Sequence, residues 1–99
     1  MVNRYRELVD ECVRSSTEGP GSLDVEVRRS ILEKLDAPGW LRGYVRKVAC
    51  CAPTVTDEDI DRLREAGLSE DEIFEATVQA ATQTALQRLR AGLRAMGIE

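Results

Sequence analysis

"SEDEIFEATVQAATQTALQRLRAGLRAMG", residues 69–97, decides how the rest of the chain is read. Ser69 with Glu72 three positions on is a capping box, in which each side chain satisfies the other's free backbone N–H at a helix start. Glu70, Asp71 and Glu72 sit at the positive end of the resulting dipole, and Arg88, Arg90 and Arg94 near its negative end. Nothing stops the pattern before Gly97, so the stretch predicts a helix over about 70–96. At ~1.5 Å per residue it is roughly 40 Å long. A domain of about 100 residues has a radius of gyration near 13 Å, so such a helix overhangs its own domain unless it bends or a partner covers the excess.

Within it, "ATVQAATQTALQ" (76–87) carries no charge, although 32% of the chain is charged and about four charges would be expected there. One side presents Gln79, Gln83 and Gln87 at i, i+4, i+8, with Thr82 and Thr84. The other presents Thr77, Val78, Ala81 and Ala85. Small residues let helices approach closely, and uncharged polar groups tolerate partial burial. The segment therefore reads as contacted on more than one side. A central helix of the monomer core, a self-association surface and a ligand pocket lined by Gln and Thr all fit this pattern. The expected oligomer surface is Val78, Gln79, Ala81, Thr82, Gln83, Ala85 and Leu89.

The remaining chain is also helical in pattern, with no sustained apolar–polar alternation. Thr56 followed by Asp57, Glu58 and Asp59 opens a helix that ends at Gly67, a residue suited to the left-handed C′ position, with apolar Leu68 behind it. Upstream, about 39–51 forms a helix with Leu41, Tyr44, Val45, Val48 and Ala49 on one stripe, stopped by Pro53. Asp24 caps a helix carrying Val27, Ile31, Leu32 and Leu35, which "DAPG" (36–39) breaks. "SSTEGPGS" (15–22) is a loop. In residues 3–15, Tyr5, Leu8, Val9, Cys12 and Val13 recur at helical spacing and read as a buried face. The expectation is one all-α domain over 1–99, a compact bundle of about five helices ending in a long C-terminal helix.

The 99 residues suffice for one domain, and a domain this small buries a modest share of its surface, which favours association with copies of itself. The net charge of −4 opposes a general nucleic-acid or anionic-membrane binder. No apolar run approaches the ~18 residues of a membrane span, and the polar start does not resemble a secretion signal. Three cysteines without metal-like spacing suit a reducing cytoplasm. Histidine is absent, which removes the commonest general base and metal ligand and every Ser-His or Cys-His nucleophile system. No cofactor and no metal are expected.

Cys50 and Cys51 are the candidate reactive groups. Cys51 falls on the stripe of Tyr44 and Val48 and reads as buried, and Cys50 falls beside Arg46 and Lys47. Both lie at a helix C-terminus, where the dipole opposes a thiolate. A bond between them is not expected, because neighbouring Cα atoms stand about 3.8 Å apart, below the usual disulfide range of about 4.4–6.8 Å, and helical geometry splays the side chains. Cys12 reads as core. Asp57, Glu58 and Asp59 are possible acids or bases, but a helix cap accounts for them. "DEDIDRLREAGLSEDEIFEATV" (57–78) has a helix-turn-helix outline, yet its second helix opens on carboxylates of the wrong sign for DNA.

Residues 55–97, with the acidic cap, the AGLS turn and the Glu72-Ile73 pair, resemble the C-terminal region of the carboxymuconolactone decarboxylase / alkylhydroperoxidase D-like superfamily. "LRGYVRKVACCAP" (41–53) is similar to the helix preceding that region, so the resemblance spans about 40–97. It implies an all-helical fold and a homo-oligomer packed through long helices. The peroxidase members carry a Glu-x-x-Cys-x-x-Cys-His-x-x-His signature upstream of the matching region. This chain has no CxxC and no histidine, so that thiol pair maps onto no residue here. The expected function is thus a cytoplasmic, self-associating binding, scaffolding or regulatory module. The alternative is an enzyme of unusual site, either a thiol peroxidase using Cys50 or a small-molecule decarboxylase or isomerase.

Overall fold

The computed structural model describes residues 3–18 and 20–97. Five α-helices follow one another: α1 (Asn3–Glu18), α2 (Val25–Lys34), α3 (Trp40–Cys51), α4 (Asp57–Glu65) and α5 (Glu70–Ala95), with a 3₁₀ turn at Ala52–Thr54 between α3 and α4. The described residues include no strand. The all-α expectation with a long last helix holds.

Local chemistry sets each boundary. Ser69 Oγ accepts from Glu72 N–H at 3.1 Å and the Glu72 carboxylate accepts from Ser69 N–H at 2.9 Å, which starts α5. Thr56 and Asp59 form the same reciprocal pair at the start of α4. Asp24 Oδ1 accepts from Glu26 N–H at 2.7 Å and opens α2. Helix α4 closes on Gly67 at φ 100°, and Leu68 N–H returns to Leu63 C=O at 3.1 Å. Helix α2 ends on a non-glycine left-handed residue, Leu35 at φ 53°, whose N–H reaches Ile31 C=O at 2.9 Å. That conformation is costly without a Cβ-free residue, and packing of the Leu35 side chain on the core offsets it.

Helix α5 is the spine. Helices α2 and α3 both pack along it, α4 bridges α3 and α5, and α1 lies against α2. The core is Leu23, Ile31, Ala37, Leu41, Tyr44, Val45, Leu63, Ile73, Ala76 and Ala80. With Ala76 and Ala80 on the buried side of α5, the neighbouring helices come close without large side chains between them. Two polar links fix the spine. Thr77 Oγ1 donates to Ile73 C=O at 2.7 Å, so the single proton left for its 2.7 Å contact with Tyr44 comes from the Tyr44 hydroxyl. Glu75 Oε2 accepts from Ser22 N–H at 2.7 Å and ties the α1–α2 connection to α5.

The molecule is a thin slab of 49 × 28 × 16 Å with a radius of gyration of 14.6 Å. Sixteen ångströms is little more than one helix diameter of about 10–12 Å, so α5 is covered on one side and open on the other.

Helix α1 departs from expectation in two ways. It runs on over 15–18, the first half of the stretch read as a loop, because nothing before the Gly-Pro-Gly at 19–21 stops it, and its expected buried face is largely open. Tyr5, Leu8 and Cys12 are exposed, and Val9 and Val13 are half-buried. Among its described side chains the buried one is Thr17, whose hydroxyl donates to Val13 C=O. The apolar stripe is present in sequence, but α1 packs mainly on the short α2, which leaves most of that stripe without a surface to meet.

Candidate functional site

The outer face of α5 carries a run of exposed apolar residues. On a helix of 3.6 residues per turn, Phe74, Val78, Ala81, Ala85, Leu89, Gly92 and Met96 fall on one line, at steps of 4, 3, 4, 4, 3 and 4. All seven are exposed, with Phe74 at 67%, Leu89 at 46% and Met96 at 70%. The opposite line, Ile73, Ala76, Gln79, Ala80, Gln83 and Leu86, is buried in the protomer.

Of the expected oligomer surface, Val78, Ala81, Ala85 and Leu89 therefore share the outer line, and Thr82 is half-buried at its margin. Gln79 and Gln83 face inward, 3% and 7% exposed, and are out of reach of a partner. The glutamine side, read from sequence as the more polar one, is the core side. Gln83 Oε1 is buried and makes no hydrogen bond among the described residues. Phe74, Gly92 and Met96 were not in the expected surface, though the step pattern contains them.

Gly92 lies inside the helix, and a Cβ added there would meet nothing within 4 Å. Its own fold thus gives no steric reason for glycine, which disfavours a helix by up to about 1 kcal/mol relative to alanine. The absence of a side chain leaves a notch in the outer line, between Leu89 and Met96.

The cysteines also depart from expectation. Cys50 and Cys51 are joined as a disulfide between sequence neighbours, and both are exposed. Their Cα atoms remain 3.8 Å apart. The splaying expected of a helix is avoided because Cys51 leaves helical geometry, at φ −145° and ψ 45°, where α3 passes into the 3₁₀ turn. Cys51 is therefore not on the buried stripe. Cys12 is a free, exposed thiol rather than a core residue.

The acids after the cysteines act locally. Lys47 Nζ donates to Asp59 Oδ2 at 2.8 Å, linking α3 to the start of α4. That bond, followed by the Thr56 N–H, holds the Asp59 carboxyl below its ordinary range. Asp57 and Glu58 are exposed first-turn acids. Among the described residues there is no group of three or more metal-ligating side chains, and no helix is long and apolar enough to cross a membrane. An open groove between α1, α2 and Arg90 of α5 is lined largely by charged side chains such as Asp10, Arg14, Arg29 and Glu33.

Set against known proteins, the chain matches no family model, no curated protein and no solved structure.

Proposed function

We propose that this protein is a self-associating helical module whose partner surface is the outer face of α5, with a second copy of the chain as the occupant. The observation that carries this is the uninterrupted apolar line from Phe74 to Met96 on the open side of a slab 16 Å thick. The reading rests on that face and not on the family resemblance, which remains an expectation.

A symmetric dimer requires a surface that complements itself. The line meets this condition when two copies run antiparallel about residue 83. Phe74 of one copy then falls at the Gly92 notch of the other and Ala81 opposite Ala85, with Val78 within one residue of Leu89. Large meets small at the ends, and small meets small where the helix axes come closest. The same direction sets the acidic start of one helix (Glu70, Asp71, Glu72) beside the basic last third of the other (Arg88, Arg90, Arg94). A parallel pair would set like charge beside like.

The area bounds the strength. From Phe74 to Met96 the line is about 33 Å long, and at a width of about 10 Å it offers on the order of 350 Å² per copy. That lies in the size range of functional surface patches. Doubled, to about 700 Å², it falls below the roughly 1,200–2,000 Å² of stable specific interfaces, so a weak, transient dimer with a Kd in the upper micromolar range is expected rather than an obligate one. What the assembly presents to other molecules defines its role as a binding, scaffolding or regulatory module.

Sedimentation equilibrium over a micromolar concentration series tests this. Wild-type chain should pass from monomer to dimer across the series, and Ala81→Glu should remain monomeric. A single ~11 kDa species at all concentrations, or an Ala81→Glu dimer of unchanged Kd, overturns the proposal.

A further inference from the structure

The disulfide between Cys50 and Cys51 staples nothing. A cross-link stabilises a fold chiefly by closing a loop of chain in the unfolded state, and the effect grows with loop length. Between sequence neighbours no residue lies inside the loop. The bond also leaves both sulfur-bearing residues at the surface, whereas a packing role would bury them. What remains is chemistry. Thiol–disulfide exchange needs a sulfur that an incoming thiolate can reach and a second thiol close enough to close the ring. Exposure supplies the first and adjacency the second.

The backbone is arranged for both states. Cys50 is the penultimate residue of α3, and Cys51 already has non-helical φ and ψ. Thr54 Oγ1 donates to Cys51 C=O at 2.7 Å, and Val55 N–H donates to Ala52 C=O at 3.1 Å. The turn after the pair is therefore held by its own hydrogen bonds, independently of the sulfur–sulfur bond. The core residues of α3, namely Leu41, Tyr44 and Val45, lie one to two turns or more upstream. Opening the bond exposes no core.

We propose that Cys50 and Cys51 form a reversible dithiol–disulfide site that exchanges electrons with low-molecular-weight thiols and disulfides. In the oxidising direction, one cysteine thiolate attacks a sulfur of a small disulfide RSSR and releases RS⁻, leaving a mixed disulfide. The neighbouring thiolate then attacks the protein sulfur of that mixed disulfide, releases the second RS⁻ and closes the Cys50–Cys51 bond. Two electrons pass from the protein pair to RSSR, and the two protons lost by the cysteines appear on two RSH. Reduction reverses these steps with two RSH as donor. In the reduced state the two thiols form a vicinal pair suited to chelating trivalent arsenic. Phenylarsine oxide would add across them with loss of one water.

The intact chain, equilibrated in glutathione buffers of graded oxidised-to-reduced ratio, trapped with N-ethylmaleimide and weighed by mass spectrometry, tests the proposal. Wild type should convert between three and one alkylated thiols in a single two-electron step. Cys12→Ser should lower both counts by one without moving the midpoint. Cys50→Ser should instead stop at a glutathione adduct, because the resolving thiol is gone. Phenylarsine oxide should be retained once per reduced wild-type chain, and not by the oxidised chain or by Cys50→Ser. Three alkylated thiols at every ratio, one thiol even in excess dithiothreitol, disulfide-linked dimers in place of the internal bond, or reduced chain that retains no arsenical would each overturn it.

Discussion

Replacing Gly92 with leucine separates the two demands on α5, because its effects on the protomer and on the dimer have opposite signs. In the protomer a side chain at 92 meets nothing within 4 Å. Exchanging a helical glycine for a strong helix former should then stabilise the fold by about 0.5–1 kcal/mol, the lower figure applying because 92 lies in the last turn. For a domain of this size, each kcal/mol moves Tm by about 4–8 °C, so at the lower figure a rise of roughly 2–4 °C is expected in melts dilute enough to hold the chain monomeric. In the proposed antiparallel dimer the same leucine would fill the notch that receives the partner's Phe74. Overpacking costs about 1–3 kcal/mol per site, and symmetry places two such sites in the interface. The sum, about 2–6 kcal/mol, weakens association by roughly 30-fold or more. Thermal melting at low concentration reads the first effect, and sedimentation equilibrium of wild type and Gly92→Leu reads the second. A Gly92→Leu chain that melts higher and associates as tightly as wild type, or more tightly, would refute the antiparallel register. Added leucine on a surface free of packing constraint should promote association, so that outcome is physically available.

Gly21→Ala should destabilise the fold, because the new Cβ would overlap Glu75 Oε1 and stand 3.2 Å from an Arg28 guanidinium nitrogen. The carboxylate is the far end of a flexible side chain and can swing aside, so the expected cost is the loss of its exposed hydrogen bond from Ser22 N–H, about 1 kcal/mol or less. An unchanged urea midpoint would mean the connection is not held there. Ser69→Ala should cost about 1 kcal/mol by removing the α5 cap, read as a Tm lowered by about 4–8 °C; an unaltered Tm would count against the cap. For Asp59, the bond from Lys47 and then the Thr56 N–H depress the folded pKa. The stability this contributes is complete above the ordinary carboxyl pKa of about 3.9 and is lost as pH falls through the lower folded value. The Tm gap between wild type and Asp59→Asn should therefore be constant near neutrality and narrow below about pH 4, and a gap independent of pH down to 2 would contradict the assignment.

Much of the architecture is legible without coordinates because its signals are local. Ser69 with Glu72, Thr56 with Asp59, Asp24 and Gly67 each satisfy or end a helix through atoms a few residues away, so their chemistry is written in adjacent letters. The length of α5 follows from the same signals.

Which side of α5 faces inward is not local. Both of its lines are uncharged over 76–87, and hydropathy favours the line of Val78, Ala81 and Ala85 as core over the line carrying Gln79 and Gln83. Tertiary packing chose the glutamine line, because Ala76 and Ala80 on it let α2 and α3 approach while Ile73 supplies apolar contact in the core. The same dependence explains α1, whose apolar stripe is real in sequence but packs mainly on the short α2. It also explains Cys50 and Cys51. Their adjacency is a fact of sequence, but their bond depends on Cys51 leaving the helix where α3 turns toward α4. By itself the sequence determined the helices, most of their ends though not that of α1, and the chemistry available. The tertiary structure decided which faces are spent on the core and which remain for a partner or a reagent, because burial is settled by neighbours that lie tens of residues away along the chain.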